Sequence, residues 1–538
     1  MTTAEPPRNG AESLLRTLLA GGVEVCFTNP GTSEMHFVAA LDRLQGMRCV
    51  LGLFEGVVTG AADGYFRMAD KPAATLLHLG PGLANGLANL HNAKKAGSGI
   101  VNIVGEHASH HLRHDAPLAA DIEAIARPMS HWVHTAQGAH TLARDGAEAI
   151  AVARTPPGRI ATLVLPADAA WTRLDAGSGP AIADEAAGGP RVDTGAGVAT
   201  ARAGVGDQAV EDAAAALSRG TRAALLLGGV ALREGALEWA GRIAARTGCT
   251  LLCENAVPRL QRGAGRVRTR RVPYAVDAAL ALLKDFGEVV LVGARAPVAF
   301  FAYPGKPSLL LPPSCRVTAL AAVQDDLCSA LQALAERLGA GQVAPAGRAV
   351  RAPAGLPSGR ITSEGIAAVL TALLPEQAIV VDESISTGRA FDAPTAGAAP
   401  HDWLNIMGGS IGFGLPAATG AAVAAPDRPV VLLQADGSAM YTLQALWTMA
   451  REGLNVKTLL FANRTYQILH GEFAQVGAGA PGQRATDMLS LDRPALDWVA
   501  LARGHGVEAC RVDELGALAR AFTRALATPG PVLIELVM

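Results

Sequence analysis

Short apolar runs alternate with segments of helical length along most of the chain. Residues 430–434 form an apolar run of strand length, residues 440–449 have helical apolar spacing, and residues 458–462 form a second apolar run. This order predicts a strand, a helix and a second strand, which is the repeating unit of parallel sheets. The same pattern recurs elsewhere, with strands predicted at 223–227, 250–253 and 532–537 and a helix at 276–283. We therefore predict an α/β protein with doubly wound parallel sheets.

Two stretches without periodicity interrupt this pattern. They are rich in Gly, Ala and Pro and predict linkers at residues 173–205 and 341–359. At 538 residues the chain is also too long for a single hydrophobic core. We predict three doubly wound domains, at residues 1–172, 206–340 and 360–538.

Polar residues follow two predicted strands of the third domain at their carboxyl ends. Asp436 lies in the turn Ala435-Asp436-Gly437-Ser438, and Asn463 follows the next strand. Ligands bind at this edge of open parallel sheets, and both side chains offer the hard oxygen atoms that Mg²⁺ prefers. A helix N-terminus at the turn would supply N–H groups for a phosphate. Taken alone, however, an Asp-Gly-Ser sequence is usually only a turn.

The first domain has further candidates at predicted strand ends. Glu55 follows a strand predicted at 49–54 and has apolar neighbours, which favours a buried carboxyl group; a helix-start Glu that meets the helix dipole is the alternative. His78 ends a strand predicted at 73–78, where a structural histidine is the more common outcome. The loop at 29–34 contains Thr32 and Ser33 and is typical of a capped Pro-Gly turn.

Composition excludes several function classes. The net charge is −2 and only 17% of residues are charged, which argues against a nucleic-acid or membrane-surface role. No apolar run reaches the roughly 18 residues of a membrane-spanning helix. The first ten residues lack the apolar segment of a signal peptide. Seven dispersed cysteines are typical of reduced thiols, so we predict a cytoplasmic protein.

One histidine cluster has more than one interpretation. Its members are His107, His110, His111 and His114. Histidines four residues apart can share a helical face and bind zinc, but no cysteine lies near them in the sequence. An exposed polar loop and a role in substrate proton transfer at a pocket mouth stay open.

An arginine run in the middle domain also has two interpretations. Its members are Arg259, Arg262, Arg266, Arg268, Arg270 and Arg271. Such runs usually form a solvated face, which is the interpretation that we favour. The alternative is a binding site for FAD or another nucleotide. The lack of a Gly-rich dinucleotide fingerprint in the sequence argues against it.

The Asp436-Gly437 turn, followed 27 residues later by Asn463 with a helix and a strand between, resembles the diphosphate-binding motif of thiamine diphosphate (ThDP) enzymes. Ala435 replaces the usual first Gly of that motif, and Ala462 replaces the first Asn of its usual Asn-Asn pair. The whole chain is similar to the ThDP-dependent 2-oxo acid decarboxylase and acetolactate synthase family. Pyrimidine-binding, middle and diphosphate-binding domains follow one another in that family in the order predicted here.

The resemblance implies roles for individual residues. Glu55 precedes a small-residue helix containing Asp63-Gly64-Tyr65 and would hydrogen-bond the aminopyrimidine ring and so activate the coenzyme. Mg²⁺ would bind Asp436, Asn463 and the main-chain carbonyl of Thr465. The implied coenzyme contacts are Ser384, Ile385, Ser386, Gly409, Ile411, Asp436, Gly437, Ser438, Asn463, Thr465 and Tyr466.

The benzoylformate decarboxylase and acetolactate synthase-like branch matches best, and it implies a substrate side as well. His78 matches a histidine that transfers protons in benzoylformate decarboxylase-like enzymes. The implied pocket residues are Thr32, Ser33, His78, His107, Ile468 and Leu469.

The implied reaction is decarboxylation of a 2-oxo acid. It would be followed by carboligation to a second carbonyl compound, as in acetolactate synthases, or by aldehyde release, as in decarboxylases of aryl 2-oxo acids such as benzoylformate. A non-catalytic ThDP-binding subunit and a ThDP-dependent C–C hydrolase or lyase are alternatives from other classes. The resemblance also implies a homodimer or homotetramer with the coenzyme at the subunit interface.

Overall fold

The structure, a computed structural model, describes residues 6–174, 202–352 and 355–538. Its described part contains three sheets that are mainly parallel, which confirms the predicted α/β class. Most of the linker predicted at 173–205 lies outside the described residues. None of the helices in the described ranges combines the length and apolarity needed to cross a bilayer.

The strands alternate with helices in the order that the apolar runs predicted. The strands are β1 Val25–Asn29, β2 Arg48–Leu51, β3 Ala73–Leu77, β4 Ile100–Glu106, β5 Trp132–Thr135, β6 Ile160–Pro166, β7 Ala223–Leu227, β8 Thr250–Cys253, β9 Leu260–Arg262, β10 Arg270–Arg271, β11 Glu288–Val292, β12 Arg316–Ala321, β13 Ile379–Glu383, β14 His401–Asn405, β15 Val430–Ala435, β16 Val456–Ala462, β17 Glu508–Val512 and β18 Val532–Val537.

The α-helices are α1 Gly10–Ala20, α2 Met35–Arg43, α3 Glu55–Ala69, α4 Leu79–Ala96, α5 Ile122–Ala126, α6 Leu142–Arg154, α7 Ala167–Trp171, α8 Asp207–Leu217, α9 Glu234–Thr247, α10 Val276–Leu283, α11 Leu327–Arg337, α12 Ser363–Leu373, α13 Gly414–Ala424, α14 Asp436–Ala439, α15 Ala445–Arg451, α16 Gln467–Gln475, α17 Gln483–Leu489, α18 Trp498–Gly504 and α19 Leu515–Ala527.

The three sheets differ in strand number. The first has the order β2-β1-β3-β4-β6-β5, the second β10-β8-β7-β11-β12, and the third β17-β18-β16-β15-β13-β14-β9. Pairing is parallel throughout except at β9, which runs antiparallel to β14. Strand β9 comes from the predicted middle domain, yet it pairs with the third sheet.

The chain divides into two compact units. One comprises Met1–Ala201, Met407–Pro426 and Thr442–Leu454, and the other Arg202–Ile406, Asp427–Tyr441 and Asn455–Met538. The first unit contains the first sheet with helices α13 and α15, and the second unit contains the other two sheets. The three-domain boundaries stay a prediction.

Close packing of small residues shapes the first unit. A Cβ atom on Gly64 of α3 would lie 2.1 Å from the Ala417 carbonyl oxygen of α13, and one on Gly420 would lie 1.8 Å from the Ala61 carbonyl oxygen. Both distances are far below van der Waals contact, so the two helices meet backbone to backbone. The small residues in the predicted α3 segment indicated this close packing.

Two site residues lie at helix starts instead of at strand ends. The Phe54 carbonyl accepts the N–H groups of Val57 and Val58, so α3 begins at Glu55. His78 is the residue before α4, and β3 ends one residue earlier. Both side chains still lie at the carboxyl edge of the first sheet, as predicted.

The helix predicted at 440–449 was also placed wrongly. Helices α14 and α15 replace it, and the preceding helix α13 begins at Gly414. Thr442 donates its hydroxyl to the Gly412 carbonyl at 3.0 Å, and α15 begins after this bond. Apolar spacing did not reveal this side-chain to backbone contact.

The interpretation of the arginine run as a solvated face is wrong for four of its six members. Arg259, Arg262 and Arg266 are buried and pair with Asp402 at 2.6 Å, Asp392 at 3.0 Å and Glu234 at 3.2 Å, and the partly buried Arg271 lies 3.5 Å from Asp392. Two of the carboxylates lie 130 and 143 residues away in sequence, so local spacing could not indicate them. Arg268 and Arg270 are exposed.

The helix contact in the first unit gives a direct stability prediction. Gly420→Ala places a methyl group against the Ala61 carbonyl, and overpacking of this kind costs about 1–3 kcal/mol. We expect the thermal-melt midpoint to fall by several degrees. Gly235→Ala is the matched control, because a Cβ at this exposed helical glycine meets open space and should stabilise by roughly 0.5–1 kcal/mol. Equal midpoints for the two variants would contradict the packing argument.

Candidate active site

Asp436 lies at the end of β15, where the chain enters α14. Its side chain is buried, and its Oδ2 accepts the Arg464 N–H at 2.7 Å while its Oδ1 accepts the Gly437 N–H at 2.8 Å. Arg464 follows Asn463 at the end of β16, which pairs in parallel with β15. The two side chains predicted to bind magnesium, Asp436 and Asn463, therefore follow adjacent strands at one edge of the third sheet.

The chemistry of this edge fits a hard cation. Burial raises the pKa of the Asp436 carboxyl above its ordinary value, against the opposing effect of the two backbone N–H groups. A divalent ion would offset the cost of burying the ionised carboxylate. In the described ranges, no three or more His, Cys, Asp or Glu side chains are grouped so that they could hold a metal. A magnesium ion bound by Asp436 would therefore take its other protein ligands from amide and carbonyl oxygens.

The neighbouring strand β13 ends in a second polar turn. Ser384 is buried, and its N–H donates to Asp382 Oδ1 at 3.1 Å. Ile385 has a φ of 51°, a conformation that costs a β-branched residue about 1–3 kcal/mol. Gln434 cross-links the strand ends, because its amide donates to Glu383 at 3.0 Å and to the Ser438 hydroxyl at 2.8 Å. The predicted diphosphate contacts at 384 and 438 thus lie on adjacent strands.

In the first unit, the loop before α13 is held by one asparagine of α4. Asn92 Oδ1 accepts the N–H groups of Gly408 and Ser410 at 3.1 and 3.2 Å, and its amide donates to the Ser410 carbonyl at 2.7 Å. Gly409 has a φ of 71°, which favours glycine. These bonds set the backbone on both sides of Gly409 and before Ile411.

Glu55 lies at the start of α3 and is half-buried, so the predicted burial of its carboxyl group is only partial. Its Oε2 accepts the Asn85 amide at 3.0 Å. A Cβ on Gly82 would lie 3.0 Å from Glu55 Oε1, so a larger residue at 82 would crowd the carboxylate. Asn85 and Gly82, both in α4, therefore determine the orientation of the Glu55 carboxyl group.

His78 pairs with a buried glutamate. Its Nδ1 lies 2.8 Å from Glu34 Oε2, which also accepts the Gly31 N–H at 2.7 Å. With Glu34 ionised, Nδ1 carries the proton and Nε2 is the nitrogen left for other chemistry. Leu79 has a φ of 49°, and this left-handed residue turns the chain from β3 into α4 directly after His78.

Comparisons with known proteins bear on both sheet edges. Residues 8–125 match the family described as thiamine pyrophosphate enzyme, N-terminal TPP binding domain, and residues 393–536 match the corresponding C-terminal TPP binding domain. The chain is 50% identical to the putative acetolactate synthase large subunit IlvX of Mycobacterium tuberculosis, over 98% of this chain and 99% of that protein. The chain belongs to the ThDP enzyme family.

Two further relatives lie in the decarboxylase branch of this ThDP family. Benzoylformate decarboxylase of Pseudomonas aeruginosa is 30% identical over 96% of each chain. The solved structure of the ThDP-dependent 4-hydroxybenzoylformate decarboxylase of Rhodococcus jostii RHA1 matches with a TM-score of 0.82 and 26% identity over 98% of each chain. The acetolactate synthase-like and benzoylformate decarboxylase-like resemblance is thereby confirmed.

Other predicted pocket residues lie in separate places in this ThDP enzyme. Thr32 and Ser33 form a 3₁₀ turn with Glu34 beside His78. His107 is half-buried, whereas the other histidines of its cluster are exposed, as the polar-loop interpretation expects. Ile468 and Leu469 belong to α16 in the second unit. The structure brings Thr32, Ser33 and His78 together within the first unit.

Sequence reasoning missed Glu34, Asn85 and Asn92. Glu34 is fully buried, and a Cβ on Gly105 would lie only 1.6 Å from its Oε1, so the site requires glycine at that position. The sequence did contain one signal for Glu34. It lies three residues after Gly31, which is the spacing at which the glutamate of a capping box accepts a backbone N–H at the helix start. The two asparagines left no such local signal.

Glu34 gives a pH-dependent stability prediction. Burial raises the pKa of its carboxyl, against the opposing effects of the Gly31 N–H and His78. The folded state therefore retains a proton that the unfolded chain loses above about pH 4.5, and this contribution to stability is lost as pH rises through the folded pKa. The Glu34→Gln variant has no carboxyl group to titrate at this position, so it does not lose this contribution. Its melting temperature should therefore rise relative to that of the unchanged protein as the pH increases from 4.5 to 8.

Differential scanning fluorimetry across this pH range measures that difference. Glu148→Gln, which removes an exposed carboxylate of α6, is the control and should show no such trend. A difference for Glu34→Gln that falls with rising pH would refute the raised pKa.

Proposed function

We propose that this chain is a ThDP- and Mg²⁺-dependent decarboxylase of 2-oxo acids that releases an aldehyde. The observation that carries the proposal is the pair formed by His78 and Glu34. A decarboxylase that releases aldehyde must deliver a proton to carbon after CO₂ leaves, and a histidine with one nitrogen fixed by a buried carboxylate suits this step. The 30% identical relative is named benzoylformate decarboxylase, which agrees with this chemistry.

The third sheet would hold the charged end of the coenzyme. The Asp436 carboxylate, the Asn463 amide oxygen and the Thr465 carbonyl would bind Mg²⁺, and Ser384 and Ser438 would contact the diphosphate. When bound, ThDP supplies an electron sink for the electron pair that remains when CO₂ leaves. The buried position of Asp436 supports this role, because a charge in a dry site interacts strongly with a cation.

Residues of the first unit would handle protons. Glu55 would hold a proton at its carboxyl group against the ring end of the coenzyme, and Asn85 would keep that carboxyl group oriented. His78 would donate from Nε2 to the product and regain a proton there, while Glu34 stabilises the charged imidazole through Nδ1. Asn92 would fix the loop that presents Gly409 and Ile411.

Carboligation is the second candidate. The relative with 50% identity is named a putative acetolactate synthase large subunit, which favours transfer to a second carbonyl compound.

We further propose a homodimer or homotetramer in which the first domain of one subunit and the third domain of another share the coenzyme. FAD is not part of the proposal, because four arginines of the run are already paired with carboxylates.

A product screen tests the proposal. Protein supplied with ThDP and Mg²⁺ is offered pyruvate, branched and aryl 2-oxo acids, while CO₂, aldehyde and acyloin are followed together. We expect one aldehyde for each CO₂, with an aryl 2-oxo acid among the substrates. Acyloin or acetohydroxy acid in place of aldehyde would establish carboligation, and no CO₂ from any of these acids would refute decarboxylation.

Two variants separate catalysis from coenzyme binding. Glu55→Gln should keep the fold and the affinity for ThDP while losing about 10²–10⁴-fold in turnover, since it removes the proton-holding group. Asp436→Ala should instead weaken Mg²⁺-dependent binding of ThDP by about 10-fold or more, since a buried ligand is lost. Isothermal titration calorimetry measures the affinity for ThDP, and steady-state kinetics measure the turnover. Full turnover in Glu55→Gln, or unchanged ThDP affinity in Asp436→Ala, would remove the residue from its proposed role.

A further inference from the structure

Helix α16 of the second unit begins directly after the predicted metal turn. Gln467, its first residue, is two positions after Thr465, and the helix carries Ile468 and Leu469 of the predicted substrate wall. None of its side chains is buried. Hydrophobic packing, which positions most helices, therefore contributes little to the placement of α16.

A carboxylate of α16 is instead held by two phenols. Glu472 Oε1 accepts the Tyr274 hydroxyl at 3.1 Å, and Glu472 Oε2 accepts the Tyr303 hydroxyl at 2.9 Å. The tyrosines precede Glu472 by 198 and 169 residues and belong to the predicted middle domain. Both carboxylate oxygens are thus used by donors from outside the third sheet.

The two tyrosines are themselves firmly placed. Tyr303 is buried in an apolar cluster that includes Phe286 and Leu310. Burial raises the pKa of both phenols further above neutral, and each donates its hydroxyl to Glu472. Hydrogen bonds to an ionised carboxylate are about twice as strong as those between neutral groups.

Tyr274 also contacts the second coenzyme-binding segment. The guanidinium of Arg389 lies over the Tyr274 ring, 4.9 Å from its centroid. Arg389 belongs to the 3₁₀ turn Thr387–Ala390, which follows the predicted diphosphate contacts at 384–386. One tyrosine of the middle domain therefore touches the segments that follow β13 and β16.

The far end of α16 meets the same middle-domain loop. A Cβ on Gly477 would lie 3.5 Å from Pro304 Cγ, at van der Waals contact. Pro304 follows Tyr303, so the loop that binds Glu472 also borders the residues after the helix.

We propose that Tyr274 and Tyr303 are positioning residues that act through Glu472 to hold α16 in its substrate-binding placement. The phenols keep Ile468 and Leu469 at the substrate side and keep the preceding turn in its metal-binding conformation. This inference rests on the proposed ThDP site and adds a role for the middle domain in substrate affinity.

Hydrogen–deuterium exchange of the full-length protein tests the contact itself. In the double variant Tyr274→Phe/Tyr303→Phe, both rings remain and both hydroxyl donors are lost. We expect amides of α16 to exchange at least about tenfold faster, with or without ThDP and Mg²⁺, since two hydrogen bonds to a carboxylate are lost and one such bond already contributes roughly this factor. Helix α19 of the same unit should exchange as before.

Steady-state kinetics with ThDP and Mg²⁺ test the functional consequence. The double variant should raise KM for the 2-oxo acid severalfold and change kcat less, because the proton-transfer residues are untouched. Glu472→Leu should reproduce this effect. Glu472→Gln should retain most of the affinity, because its amide oxygen accepts one phenol and its amide N–H can donate to the other.

Glu336→Gln, which removes an exposed carboxylate of α11 in the same unit, is the matched control and should change neither measurement. Unchanged α16 exchange and unchanged KM in both the double variant and Glu472→Leu would overturn the proposal. If the unchanged protein turns over no 2-oxo acid, the proposed function fails, and the exchange of α16 without coenzyme still decides whether the contact positions the helix.

Discussion

The buried carboxylate of Asp436, fixed by the Arg464 N–H across two parallel strands, is the interaction on which the candidate site depends. In a parallel sheet all carboxyl ends lie at one edge, so side chains distant in sequence meet there without any local signal. Burial makes an ionised carboxylate costly unless a cation compensates it. The proposed Mg²⁺ would supply this compensation, in addition to the N–H groups of Arg464 and Gly437.

Backbone strain is found at the same edges. Leu79, Ile385 and Arg464 have positive φ values and follow β3, β13 and β16. Leucine and isoleucine are poor choices for this conformation, where glycine or asparagine costs less. Each lies beside a proposed functional residue: His78, Ser384 or Asn463. The stability lost at these turns serves to orient side chains, which is typical of functional sites.

The sequence predicted much of the architecture from uninterrupted apolar runs. The predicted bounds of β7, β8, β18 and α10 agree with the structure. The helix predicted at 440–449 was wrong, because apolar spacing contains no information on the hydrogen bond from Thr442. Periodicity thus locates elements well and locates their interruptions poorly.

Pairwise contacts between distant segments explain the remaining misses. Glu34, Asn92 and Glu472 each bind groups that are close in space but, in most cases, far along the chain. The arginine run was misread for the same reason, since Asp392 and Asp402 lie more than a hundred residues away. Motif spacing could indicate which residues bind the coenzyme, but not which residues hold them in place.

A structure of the protein with ThDP and Mn²⁺, in which anomalous scattering locates the metal, shows whether Asp436 and Asn463 bind the ion. We expect one manganese peak in contact with the Asp436 carboxylate, the Asn463 amide oxygen and the diphosphate, and a Glu55 carboxyl against the pyrimidine ring. A coenzyme that binds with its metal away from Asp436 and Asn463 would contradict this expectation.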